Sequence, residues 1–173
     1  MNIGKLKKYL AHKFKTGIPS QLTYHTWDHV LGVLDVCNSY ARRYGIKGRD
    51  AYLLRTAALI HDLGFLWTYT DHEEQGVEFT KRELPNWGYT ADDIKRIDGM
   101  ILATQIPQEP QNLLEQIICD ADLDYLGTEH FYTIGETLFE EFKSMGQIKN
   151  REDWNKLQIN FLSGHRYHTP YAK

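Results

Sequence analysis

The chain has 173 residues, of which 42% are hydrophobic and 25% charged, proportions that suit one globular domain over residues 1–173 with a sizeable core. A net charge of −3 gives no global attraction to nucleic acid or an anionic membrane, and no run reaches the roughly eighteen apolar residues of a membrane span. Cys37 and Cys119 lie in apolar helical patterns and read as reduced core residues, and the lysine-bearing N-terminus lacks the apolar run and cleavage site of a secretory signal, so a cytoplasmic protein is expected.

Residues 2–15 predict a basic amphipathic helix. Ile3, Leu6, Leu10 and Phe14 share one face, and Lys5, Lys7, Lys8, Lys13 and Lys15 lie mostly elsewhere. A membrane-surface helix has this pattern, but so does a first helix packed on the core with its lysines in water, which is the reading adopted. Gly17 and Pro19 break the chain. From Tyr24-His25-Thr26-Trp27-Asp28-His29-Val30 a long helix is expected to run to about Tyr44, with Val30, Leu34, Cys37 and Ala41 repeating every three to four residues. His25 and His29 are four apart, so both can face one way across a single turn.

Gly45 to Gly48 is a turn, and Arg49 or Asp50 opens the next helix. There Leu53, Leu54, Ala57, Ala58, Leu59 and Ile60 are nearly continuous, the mark of a buried central helix. It delivers His61-Asp62, with Gly64 two residues on and Phe65 to Trp67 in a loop. Neighbours on a helix point about 100° apart and rarely serve one site. They can do so where the last turn loosens, so a metal site and a capped helix end with a solvated Asp62 both fit this dipeptide. Asp71, with Glu74 three residues on, matches a capping box opening a helix that contains Val77, Phe79 and Leu84. Pro85 to Gly88 stops it. Thr90, with Asp93 three on, caps a helix carrying Ile94, Ile97, Ile101 and Leu102 and ending near Thr104.

Leu113 to Cys119 predicts a helix running into Asp120-Ala121-Asp122-Leu123-Asp124. Acids at alternate positions in an apolar stretch are costly to bury unless their charge is compensated. A calcium loop is set aside, because Leu123, Tyr125 and Leu126 fill the intervening places and neither the sixth-position glycine nor the twelfth-position glutamate is there. Helices are expected at about 129–145 and 152–162. The tail carries His165 and His168, which could ligate a metal but are expected to be solvated beside Pro170. It shows no clear final helix, as expected where a further segment follows.

With His29 in Tyr-His-Thr-Trp-Asp-His-Val, His61-Asp62 in Leu-Ile-His-Asp-Leu-Gly and Asp122 in Asp-Ala-Asp-Leu-Asp-Tyr-Leu-Gly, the sequence resembles the HD-domain superfamily of metal-dependent phosphohydrolases from about residue 20 to 130. The resemblance implies an all-α, single-domain helical bundle with a central metal site ligated by His29, His61, Asp62 and Asp122. Two imidazoles and two carboxylates suit Mn, Fe, Co, Ni or Zn, with Mg also admissible. The implied reaction is hydrolysis, by a metal-activated water, of a phosphoester or pyrophosphate bond in a nucleotide or other small phosphorylated substrate.

Asp122 is preferred to Asp120 because the family's last aspartate follows a small residue and precedes an apolar one. Asp120 would support the ligands from behind, and Asp124 would cap or face water. His25 resembles a histidine that protonates the leaving group in some relatives, and Glu73 or Glu74 could orient the water as general base. His72 matches a histidine of members that hold a second metal. Those members usually add a histidine pair where this chain has Ile101-Leu102-Ala103-Thr104, so one firm metal is expected. The competing reading is a non-catalytic regulatory or ligand-sensing domain that kept the metal. Di-iron oxygen chemistry ranks lower because Thr104 leaves the second set incomplete. His72 to Gly76 lacks the second histidine of H-E-x-x-H, and no phosphate-binding glycine loop occurs. A homo-oligomer stays an open option.

Overall fold

Helix α3 (Gly48–Ile60) is the centre of the molecule: every residue from Leu53 to Ile60 except Arg55 is buried. A helix apolar around its whole circumference must be covered on every side. In the computed structural model, which describes residues 2–173, α1 (Ile3–Gly17), α2 (Trp27–Arg43), α5 (Ala91–Leu102) and α6 (Leu113–Asp122) pack against it, and α4 (His72–Glu83) packs on α5. With α7 (Phe131–Ser144) and α8 (Arg151–Gly164) the described residues form eight α-helices and no strand, an all-α single domain. No helix of the described residues is long and apolar enough to cross a membrane.

Local chemistry sets most helix starts. Asn2, Asn112 and Asn150 accept backbone N–H groups of the first turns of α1, α6 and α8. Thr90 and Asp93 form the expected capping box, and Arg49 pairs with the Asp93 carboxylate, tying the start of α3 to that of α5. The capping box expected at Asp71 and Glu74 does not form. Asp71 precedes α4 in the left-handed region (φ 53), where its side chain cannot reach the N–H groups ahead, and Glu74 instead accepts from Gln105 Nε2 at 2.6 Å.

Three other boundaries differ from expectation. Helix α2 begins at Trp27, so His25 lies before the helix and not one turn below His29. The stretch after Asp62 is a 3₁₀ turn, Leu63–Leu66, and not an open loop. Helix α6 continues through Asp122.

The main core is drawn from α1 to α6 and the turns between them. Helices α7 and α8 have a small core of their own, Phe139, Ile148 and Trp154, flanked by Leu138 and Phe142. This hairpin is fastened to the bundle by polar contacts: Thr23 Oγ1 donates to the Thr137 carbonyl at 2.7 Å, Ser144 Oγ to that of Gln21 at 3.1 Å, and Glu141 to the chain before α2 as described below. The tail, expected to be solvated, returns to the bundle. Thr169 is fully buried, and the Arg43 guanidinium lies 3.6 Å above the Tyr171 ring.

Candidate metal centre

Three helix ends converge on one point. His29 is in the first turn of α2, His61 and Asp62 follow the last turn of α3, and Asp122 is the last residue of α6. The adjacency problem of His61-Asp62 is solved by the backbone. His61 keeps helical angles, whereas Asp62 turns to φ −97, ψ 4, and the two side chains swing together until His61 Nε2 lies 3.2 Å from Asp62 Oδ2.

His29 Nε2 is 3.1 Å from Asp122 Oδ1, 3.2 Å from Asp62 Oδ2 and 3.4 Å from His61 Nε2, and His61 Nε2 is 3.4 Å from Asp122 Oδ1. Five of the six distances among these four atoms therefore measure 3.1–3.4 Å. Neighbouring ligands bonded at about 2 Å to one first-row divalent ion stand about that far apart.

Two details support the fit. His61 Nδ1 donates to the Ala58 carbonyl at 2.9 Å, which leaves the Nε2 lone pair facing the cluster, as for a metal-bound histidine. Asp62 Oδ2 is buried and accepts no hydrogen bond, an arrangement that is costly unless a cation faces it. The four donors fit an ion. His29, His61 and Asp122 alone already bring three ligand atoms within 4.8 Å of one another.

The electrostatics follow from burial of opposite charges. Burial alone would lower the His29 pKa, but the carboxylates of Asp122 and Asp62 outweigh it and raise it to about 9. His61 is raised for the same reason, chiefly by the charge of Asp62. Burial would raise Asp62 and Asp122, yet the two imidazoles hold both well below the ordinary carboxylate range.

A second tier borders the cluster. His72 Nε2 is 3.5 Å from the other oxygen of Asp62, Oδ1, and 3.3 Å from Glu73 Oε1. Its ring stacks on Phe65 at 3.8 Å between centroids. Glu73 is buried, which pushes its carboxyl pKa up. The close approach that places His72 depends on Gly64, where a Cβ would run into the His72 backbone carbonyl. Thr104 also borders the cavity, but its hydroxyl is turned to the Ile101 carbonyl at 2.7 Å.

His25 stands beside the cluster, its ring centroid 6.0 Å from that of His29 and 6.3 Å from that of His72. It is held by Glu141, which sequence reasoning did not identify. The fully buried Glu141 carboxylate accepts the Tyr24 N–H at 2.8 Å, the His25 N–H at 3.1 Å and the His25 ring at Nδ1. The one available signal was spacing, since Ile134, Leu138 and Met145 place Glu141 on an apolar helix face.

Other candidates are not brought to the cluster. Glu74 is exposed and engaged with Gln105. Asp120 does not back the ligands; it is fully buried and accepts the N–H groups of His168 (2.7 Å) and Thr169 (2.8 Å), clamping the tail. Asp124 opens the 3₁₀ turn Asp124–Gly127. His168 contacts Gln108, and His165 packs on Phe161.

The cluster opens into a cavity of about 340 Å³ between the bundle and the α7–α8 hairpin, bordered by His25, Asp62, His72, Glu73 and Asp122. An all-helical bundle that gathers two histidines and two aspartates from three helix ends defines a class, the helical domains with clustered donor side chains in the bundle interior, a place where bundles can hold a metal. The sequence model of the HD domain matches residues 26–124, more than half of the chain, and the chain belongs to that family. A crystal structure of a predicted HD superfamily hydrolase from an uncultured Thermotogales bacterium superimposes with a TM-score of 0.60 at 20% identity, over 94% of this chain and 96% of the other. No curated protein matches the chain.

Proposed function

We propose that this protein is a metal-dependent phosphohydrolase acting on a small phosphorylated substrate. The observation that carries the reading is the cluster of His29, His61, Asp62 and Asp122 opening into a cavity that also holds His25 and Glu73. A bound divalent ion, with Mn, Fe, Co, Ni and Zn favoured by the mixed nitrogen and oxygen donors, would lower the pKa of a water and polarise a phosphoryl oxygen.

The remaining work falls to the chain. Glu73, whose basicity is raised by burial, takes the proton of the attacking water and shares it with His72, 3.3 Å away. His25 bonds Glu141 through Nδ1, so Nε2 is its free nitrogen and can donate to the leaving oxygen. Asp62 links the two tiers through its two oxygens.

The test is metal add-back after chelation, with a panel of phosphomonoesters, phosphodiesters and pyrophosphates. Hydrolysis should return with a transition metal and be lost in His61→Ala at unchanged helicity. If the loaded protein binds metal yet cleaves nothing in the panel, the domain is a non-catalytic metal-binding module and the reading fails.

A further inference from the structure

The walls of the cavity differ in chemistry from its floor. The floor is acidic, with Asp62, Glu73 and Asp122. The α7–α8 hairpin supplies Leu138, Phe142, Trp154, Leu157, Phe161 and Leu162, and among the described residues neither lysine nor arginine borders the space. A bundle helix normally turns such residues into a core, yet Leu157 is 37% and Leu162 40% exposed, and Ile106, across the cavity, is 59% exposed. Large apolar side chains left open around one cavity mark a binding surface.

We infer that the ligand class of this site is an organic phosphate with a single phosphoryl group on a bulky aryl or alkyl group, and not a polyphosphate. This rests on the phosphohydrolase reading for the fate of the ligand, but the ligand's chemistry is read from the cavity alone. One phosphoryl group can be met at the floor by an ion together with the ring nitrogens of His25 and His72. A second or third phosphate would lie against apolar walls with no cation to meet it and three carboxylates nearby, where charge is costly to desolvate. Sugar hydroxyls and base edges find few partners: the Thr104 hydroxyl is already engaged, and among the described residues the Tyr24 and Tyr125 hydroxyls and the Gln158 amide are the polar groups left on otherwise apolar walls. An apolar group loses nothing polar there and gains from every wall contact. The expectation of a nucleotide or other small phosphorylated substrate thereby narrows to esters of apolar alcohols or phenols.

Calorimetric binding to the Mn²⁺-loaded protein tests this with phosphonates that cannot be hydrolysed: methylphosphonate, benzylphosphonate, 1-naphthylmethylphosphonate and a methylene analogue of adenosine triphosphate. Affinity should rise by about tenfold or more from methyl to naphthylmethyl, and the triphosphate analogue should bind more weakly than the naphthyl compound. Leu157→Lys, a change at a partly exposed position, should weaken the naphthyl compound and strengthen the triphosphate analogue. A flat series, or a triphosphate that binds tightest, overturns the inference. The rising series with no cleavage of 1-naphthyl phosphate keeps the ligand class and sinks the hydrolase reading. Cleavage of nucleoside triphosphates in preference to naphthyl phosphate does the reverse.

Discussion

Replacing Glu141 separates its two roles, fastening α7 and orienting His25. The carboxylate is fully buried and accepts two backbone N–H groups, at 2.8 and 3.1 Å, as well as the His25 ring. Glu141→Ala leaves both N–H groups without a partner, at a cost of about 1–3 kcal/mol each, or about 2–6 kcal/mol in all. For a domain of this size that lowers Tm by roughly 10 °C. Glu141→Gln keeps an oxygen for the N–H groups but loses the charge, so Tm should fall by only a few degrees, about 1–2 kcal/mol.

The activity of the glutamine variant is the sharper readout. Without the carboxylate the His25 ring loses the partner that orients it, and a general acid is worth about 10²–10⁴ in rate. Cleavage of an ester with a poor leaving group should therefore drop by tenfold or more, roughly, whereas p-nitrophenyl phosphate, whose leaving group departs unprotonated, should lose much less. Equal losses on both esters, or wild-type rates on the first, refute the role given to His25.

Acid should erase the stability difference between the two proteins. Burial alone would raise the Glu141 pKa, but His25 and the two N–H groups hold it below the ordinary value. Its stabilisation is therefore full above the ordinary glutamate pKa and is lost as pH falls through the depressed one.

The other predictions rest on single contacts. The raised pKa of His29, about 9, means that its imidazolium stabilises metal-free protein below the ordinary histidine value and ceases to do so as pH rises through about 9. An ion needs the neutral ring, so metal affinity at pH 7 should be about a hundredfold below its plateau from His29 alone, and calorimetry in buffers of different ionisation enthalpy should record proton release; pH-independent affinity would contradict this. Gly64→Ala drives a methyl group into the His72 carbonyl and should cost about 3 kcal/mol or more in chemical denaturation. Asp120→Ala removes two acceptors from the tail and should lower Tm by roughly 5–10 °C and expose the C-terminus to protease, with metal affinity retained; a tail that stays protected would show that its other contacts suffice.

Much of the architecture was legible locally. Apolar periodicity located the helices, and Thr90 with Asp93 announced a helix start that the structure keeps. The same local pattern misled at Asp71, because a capping box needs extended backbone at the cap and the tight passage from Gly64 to His72 imposes a left-handed residue there. His25 was expected on a helical turn with His29, but the buried Glu141 accepts the N–H groups of Tyr24 and His25 and holds that segment outside the helix.

What the sequence determined by itself is where helices run and which chemistry stands at their ends, since both depend on neighbours within a few residues. Tertiary structure alone decided which acid faces which partner. Once α6 continues through Asp122, successive residues turn by about 100°, so Asp120 and Asp122 point to nearly opposite sides. One meets the imidazoles and the other the returning tail; the flanking residues pointed to Asp122 through the family's pattern, but the partner of Asp120 lies beyond any local signal. Glu141 acquires its meaning in the same way, from a segment 117 residues away that only the folded chain brings within reach.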